Sequence, residues 1–355
     1  MSSAPARRPL KPDRELQSLL KGDGYGARLL IIKPSSFGDV VHALPVLESL
    51  KGRYPRAVCG WVIKPEWSPL LEGHPHLEQV IPFPIQHFRG VAAAGRFVQW
   101  TREVLRSFGA TVAIDLQGLL RSGLVAATSG AALRLGGSDA RECATRFYSK
   151  VVTVNRDDHA VVRYLRIASV LDIQSDADRI GCWLPEGEMP ASFEVTERPF
   201  VVLHPWARGT GKSLPDAVIQ AMVDIWGHER IMVVGRCLSP PDLPGRTGLL
   251  VNRTDLRQLI AVLRSADCVV SVDSGPLHLA AALGRRVLGI YTWSDPAKVG
   301  PWSLHARIWR SGRIMTMREI REGASVPPPG PPPAIMDVEP ILRWVREATA
   351  AEISS

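Results

Sequence analysis

Apolar residues in this chain fall into short runs separated by amphipathic stretches. RLLII at Arg28–Ile32, VCGWVI at Val58–Ile63, QVIPF at Gln79–Phe83 and TVAIDL at Thr111–Leu116 are β-branched or apolar runs of strand length. Between them, Val40–Leu50 and Val91–Phe108 carry apolar residues at helical spacing, the first ending before Gly52. Further strands are predicted at Ala132–Leu135 and Val151–Val154, and a helix at Asp158–Leu171. The alternation then breaks at PEGEMPASFEVTERP, Pro185–Pro199, which has no periodicity and reads as a linker. It restarts with strands at Phe200–His204, Ile231–Val234, Gly248–Val251, Cys268–Val272 and Val287–Tyr291. SVPPPGPPP over 325–333 is neither helix nor central strand and reads as an extended tether before a last helix, Val338–Ala348. The pattern predicts two α/β, Rossmann-like doubly wound domains, at 28–185 and 200–324, joined by a linker at 186–199. A polar extension, 1–27, precedes them, and the tether and helix occupy 325–355.

Composition narrows the function classes. Across 355 residues the five cysteines are scattered without a C-x-x-C pair, which argues for reduced thiols in a cytoplasmic protein and against a zinc or disulfide framework. No run approaches a membrane span, and residues 1–22 lack the apolar core of a signal peptide. The formal charge of +8 suits an anionic partner, but the basic residues are dispersed and no nucleic-acid motif accompanies them. No cluster with metal-ligand spacing is visible, so neither a metal nor another cofactor is expected. GDGYGA at Gly22–Ala27 precedes the first strand instead of following one, so it is not a dinucleotide fingerprint.

Three loops carry candidate chemistry. In CVVSVDSGPLHLAAALG, Cys268–Gly284, Ser274 or Gly275 can cap a helix with Pro276 in its first turn, so unpaired N–H groups face outward from a strand end. That is a natural phosphate site, although every α/β crossover offers the same turn. His204–Ser213 ends in Gly-Lys-Ser like a P-loop, but the required earlier glycine is Trp206 and Pro215 comes two residues later, so the P-loop reading fails. Asp39 follows KPSSFG after the first strand, where a carboxylate also serves simply to stabilise a helix start.

VDSGPLHLAAALG followed by SDPAKVGP, and RLLIIKPSSFGDVVHALPVLESL at Arg28–Leu50, resemble motifs of the lipopolysaccharide heptosyltransferases, the ADP-heptose glycosyltransferase family with the two-domain GT-B fold. The resemblance implies a C-terminal helix packing back on the first domain. It implies an inverting, metal-independent transfer of heptose from ADP-heptose to the inner core of lipopolysaccharide, a Kdo-lipid A type acceptor, by a cytoplasmic protein peripheral on the inner membrane. Asp39 matches the family's catalytic base, and Lys212 the lysine that neutralises the departing diphosphate. Ser35, Ser36 and Gly38, with Asp273, Ser274, Gly275 and His278, match positions near the nucleotide sugar. Arg121, Arg141 and Arg146 fall in acceptor-side stretches of a first domain holding 19 Lys and Arg against 14 Asp and Glu over 28–185, a local +5.

The chain also departs from the family. VVGRCLSPPDLPGRTG, Val233–Gly248, has no glutamate for the ribose, Thr292-Trp293-Ser294-Asp295-Pro296 stands where G-P-T-D-P is usual, and QHFRG after Ile85 is poor in basic residues. Transfer to a protein or another glycan, a nonhydrolysing sugar-nucleotide epimerase, and a nucleotide-sugar binder without transferase activity stay open as alternatives.

Overall fold

A computed structural model describes residues 20, 22–90, 92–191, 200–226, 231–243 and 248–350, and divides the chain into two compact units, Met1–Trp183 and Leu184–Ser355. Most of the expected N-terminal extension and linker, and part of the Val233–Gly248 segment, lie outside the described residues.

The first unit runs β1 (Arg28–Ile32), α1 (Phe37–Arg53), β2 (Val58–Ile63), β3 (Gln79–Pro82), α2 (Ala93–Trp100), β4 (Val112–Asp115), α3 (Leu120–Thr128), β5 (Leu133–Gly137), β6 (Lys150–Val152) and α4 (Ala160–Ala168). Its six strands lie in the order β3-β2-β1-β4-β5-β6, with every pairing parallel. Strands buried on both faces read as unbroken apolar runs, and β1 does, with Leu29 through Ile32 fully buried. Chain direction across the sheet reverses between β1 and β4, which opens a crevice at their carboxyl ends. The predicted helix over Val91–Phe108 is instead α2 followed by a π turn at Thr101–Leu105 and a 3₁₀ turn that stops at Gly109, left-handed at φ 64°. Trp100 and Phe108 thereby both reach the core beside Phe83.

The second unit repeats the plan: β7 (Val201–His204), α5 (Asp216–Trp226), β8 (Ile231–Gly235), β9 (Gly248–Val251), α6 (Leu256–Ser265), β10 (Cys268–Val272), α7 (Gly275–Ala282), β11 (Arg286–Ile290), α8 (Pro296–Val299), β12 (Arg307–Arg310), β13 (Arg313–Thr316), α9 (Met317–Arg321) and α10 (Val338–Ala350). Strand order is β13-β12-β11-β10-β7-β8-β9, parallel except for the β12–β13 hairpin, and the reversal falls between β7 and β10. The hairpin is absent from the sequence prediction, although Ser311-Gly312, with φ values of 47° and 79°, is a tight-turn pair of the kind that joins such strands.

The last helix differs from the expectation. α10 belongs to the second unit: its buried residues Val338, Ile341, Leu342, Val345 and Ala348 join that unit's core with Val201, Met222 and Val270. Their i, i+3, i+4, i+7 spacing makes one apolar stripe, and α5 with the face of β7 and β10 supplies the complementary surface. Among the described residues no helix is long and apolar enough to cross a membrane.

Candidate active site

Each unit carries a cluster at its switch point. In the first, β1 ends at Ile32, and the loop Lys33–Ser36 leads into α1, whose third residue is Asp39. Asp39 closes the helix start from within: its Oδ2 accepts from Ser36 N at 3.1 Å and Ser36 Oγ at 2.8 Å. Lys33 Nζ stands 4.0 Å from the same oxygen, with its side chain only 3% exposed. Oδ1 accepts one bond, from the Tyr164 hydroxyl of α4 at 3.2 Å, and the Tyr164 ring lies under the Lys33 ammonium at 4.8 Å. Burial pushes the Asp39 carboxyl up, but Lys33 and the donors from Ser36 and Tyr164 outweigh it and hold the group below its ordinary value. Asp39 is thus an ionised carboxylate, its side chain 35% exposed, with a lone pair left on Oδ1.

Burial likewise pushes the Lys33 amine down, against the pull of Asp39 and of Asp115 at the end of β4. Asp115 is fully buried and shapes the neighbouring turn. Its Oδ1 accepts from Gln117 N at 2.9 Å and Gly118 N at 3.1 Å, and its Oδ2 from the Tyr148 hydroxyl at 2.8 Å. Gln117 Oε1 in turn accepts from Ser35 N at 3.2 Å, tying the two switch-point loops together.

The predicted residues of this unit therefore separate. Ser35, Ser36, Gly38 and Asp39 share the β1–α1 junction, where both Ser36 donors are spent on Asp39 and the Ser35 amide on Gln117 of the neighbouring loop. Arg121 opens α3 beyond β4, and Arg141 and Arg146 flank the turn after β5, where Arg141 N donates to Gly118 O at 2.8 Å. All three arginines are exposed. Lys33 and Tyr164 are site residues that sequence reasoning missed. Lys33 sat within the quoted motif, whereas Tyr164, 125 positions from Asp39, gave no signal.

In the second unit, Asp273 follows β10 and is the hub. Lys212 Nζ donates to Asp273 Oδ2 at 3.2 Å, Ser294 Oγ donates to the same oxygen, and His278 Nε2 lies 3.8 Å from Oδ1. Burial raises the Asp273 carboxyl, yet His278, Ser294 and Lys212 together draw it down to about 2. Asp273 and Lys212 thus form a direct ion pair. Ser274 caps α7 and its hydroxyl meets His204 Nδ1 at 3.1 Å, while burial pushes His204 down to about 4, so the ring is neutral at pH 7. Gly275 is the first residue of α7, an eight-residue helix whose N-terminal amides point out of the sheet edge. Arg310 from β12 is buried and holds the Ser294 carbonyl at 2.5 Å. Trp293 is 64% exposed, with its indole nitrogen beside Gly211. His204, Ser294 and Arg310 were not predicted, since each acts through a strand-end neighbour far away in sequence.

A base with a spare lone pair and a cation set at a helix start are the parts that group transfer from a nucleotide-activated substrate requires. The family model for glycosyltransferase family 9 (heptosyltransferase) matches residues 100–328. Lipopolysaccharide heptosyltransferase 1 of Salmonella typhimurium is 26% identical over 288 residues, covering 77% of this chain and 90% of that protein. The Pseudomonas aeruginosa protein of the same name is 29% identical over 296 residues, covering 78% and 81%. Among solved structures, the E. coli ADP-heptose lps heptosyltransferase II matches with a TM-score of 0.70 and 22% identity, over 92% of this chain and 99% of that one. A glycosyl transferase family 9 structure from Veillonella parvula also gives 0.70, at 17% identity and with coverage of 92% and 98%. Because the family model spans well over half of the chain and the fold agrees along nearly all of it, this chain belongs to glycosyltransferase family 9, the heptosyltransferases, and is a glycosyltransferase.

Proposed function

We propose that the protein transfers heptose from ADP-heptose to the inner core of lipopolysaccharide, on a Kdo-lipid A type acceptor, with inversion at the anomeric carbon. The acceptor hydroxyl oxygen bonds to the anomeric carbon as the bond from that carbon to the diphosphate oxygen breaks. Its proton passes to Asp39 Oδ1, the carboxylate atom with a lone pair unspent. Lys33 and Tyr164 keep that carboxylate charged and aimed, so they are positioning residues. Charge that gathers on the departing ADP is met by Lys212 and by the amides that open α7 at Gly275. Asp273 holds Lys212 in place before substrate arrives, and with Ser294 and His278 it forms the wall that meets sugar hydroxyls. Arg121, Arg141 and Arg146 face acidic groups of the acceptor, and the protein meets the inner membrane face peripherally from the cytoplasm.

The observation that carries this reading is the Asp39 carboxylate, ionised, partly open and fixed at the β1–β4 switch point. A nucleotide-sugar binder needs no such base. Incubation with ADP-heptose and heptose-deficient lipopolysaccharide, followed by mass spectrometry of the lipid, should reveal a gain of one heptose. ADP-heptose turnover without any heptosylated lipid would overturn the acceptor assignment.

A further inference from the structure

The sequence shows no metal-ligand spacing, yet folding gathers Glu48, His74 and His76 into one cluster, with one donor atom from each residue within 4.8 Å of the others. Glu48 sits near the far end of α1, nine residues beyond Asp39, so about 14 Å along the helix axis separates it from the base. Its carboxylate is 14% exposed and the His74 side chain 0%. His74 Nε2 is buried without a hydrogen-bond partner and lies 3.3 Å from Glu48 Oε1, off the angle that a hydrogen bond needs. His76 Nδ1 stands 2.8 Å from Glu48 Oε2, with that ring 43% exposed. Trp183 closes the site, its ring 4.8 Å from His74 and its amide donating to Glu48 Oε1 at 3.3 Å.

We propose that Glu48, His74 and His76 form a binding site for a divalent transition metal of the zinc class, separate from the transfer chemistry. Two imidazoles and a carboxylate are the borderline donor set that zinc takes. In a tetrahedral site with bonds of about 2.0–2.1 Å, donors stand roughly 3.3 Å apart, the separation between His74 Nε2 and Glu48 Oε1. Without metal, the His76 amide donates to His74 Nδ1 at 3.2 Å, and His76 Nδ1 faces Glu48. Metal binding requires each ring in its other tautomer, which releases two local hydrogen bonds in a loop and makes His74 Nε2 a ligand. A solvent molecule completes the set of these three donors. The metal would tie the end of α1 to the loop before β3, as a structural clip.

Titration of the full chain with Zn²⁺, and with Co²⁺ read by its visible absorption, tests this. One equivalent should bind, with the intense bands of tetrahedral cobalt, and Zn²⁺ should raise Tm. His76→Ala, at a half-open position, should lower affinity roughly tenfold or more and abolish the Tm shift, and Glu48→Gln should do the same. His87→Ala, at an exposed histidine of the same unit, should bind as wild type. Heptosyl transfer should proceed equally with chelator, so this proposal and the transfer reading fail separately. Absence of a one-to-one complex in the wild type, or unchanged affinity in His76→Ala, overturns the proposal.

Discussion

Asp39 and Asp273 make an instructive pair. Each follows a central strand, stands at a reversal of strand order, and is held ionised below its ordinary range, Asp39 chiefly by Lys33 and Asp273 by His278 and Ser294 together with Lys212. They differ in what is left over. Asp39 is 35% exposed and keeps a lone pair on Oδ1, with its lysine buried and 4.0 Å away. Asp273 is 14% exposed and bonded directly to a lysine that is itself 28% open. In the first unit the cation serves the carboxylate; in the second the carboxylate serves the cation. On the proposed reading, similarly placed carboxylates thus serve as a proton acceptor in one unit and as the holder of a charge stabiliser in the other, decided by which partner is left facing outward.

Breaking the first half of that contrast has the largest effect. Asp39→Asn keeps an oxygen for the Ser36 amide but removes the base, so kcat should fall by ~10²–10⁴, as a steady-state assay with saturating donor would register. Lys212→Ala removes the outward cation and should cost roughly 2–4 kcal/mol in kcat/KM, about 30- to 900-fold. Retention of most activity by either variant would dissolve the pairing.

The alternation of strands and helices, and the turns at Asp39 and Asp273, were legible because they depend on local periodicity and on residues close in sequence. Lys212 and Asp273 were each legible in a short motif beside a predicted strand end. Tyr164 was not, because only the packing of α4 against α1 carries its hydroxyl across 125 residues to Asp39. The seat of α10 was misjudged for a related reason: its apolar stripe says that it packs, whereas the open face of β7 and β10 decides where. Glu48, His74 and His76 escaped notice because Glu48 lies 26 residues before His74, and only folding brings the end of α1 to the loop before β3.

Smaller effects sharpen the comparison. Tyr164→Phe keeps the ring beneath Lys33 and removes one donor to Asp39 Oδ1, so kcat should drop about three- to tenfold. The sign of its pH effect is fixed: a carboxylate that loses a hydrogen bond to its charged form titrates higher, so the acid limb of kcat/KM should move to higher pH. An unmoved limb would mean that Tyr164 acts on packing alone. Arg141→Ala should act least, raising the KM for acceptor several-fold and leaving that for donor unchanged. Both that effect and binding to acceptor-bearing vesicles should weaken as salt shortens the Debye length from ~10 Å at 0.1 M to ~3 Å at 1 M.

The division of labour between the two aspartate sites is tested most directly by calorimetric binding of ADP to wild type, Asp39→Asn and Lys212→Ala. The account predicts that Asp39→Asn binds ADP as tightly as wild type, while Lys212→Ala binds at least about tenfold more weakly, a loss of ~1.4 kcal/mol. Equal weakening in both variants, or weakening in Asp39→Asn alone, would contradict it.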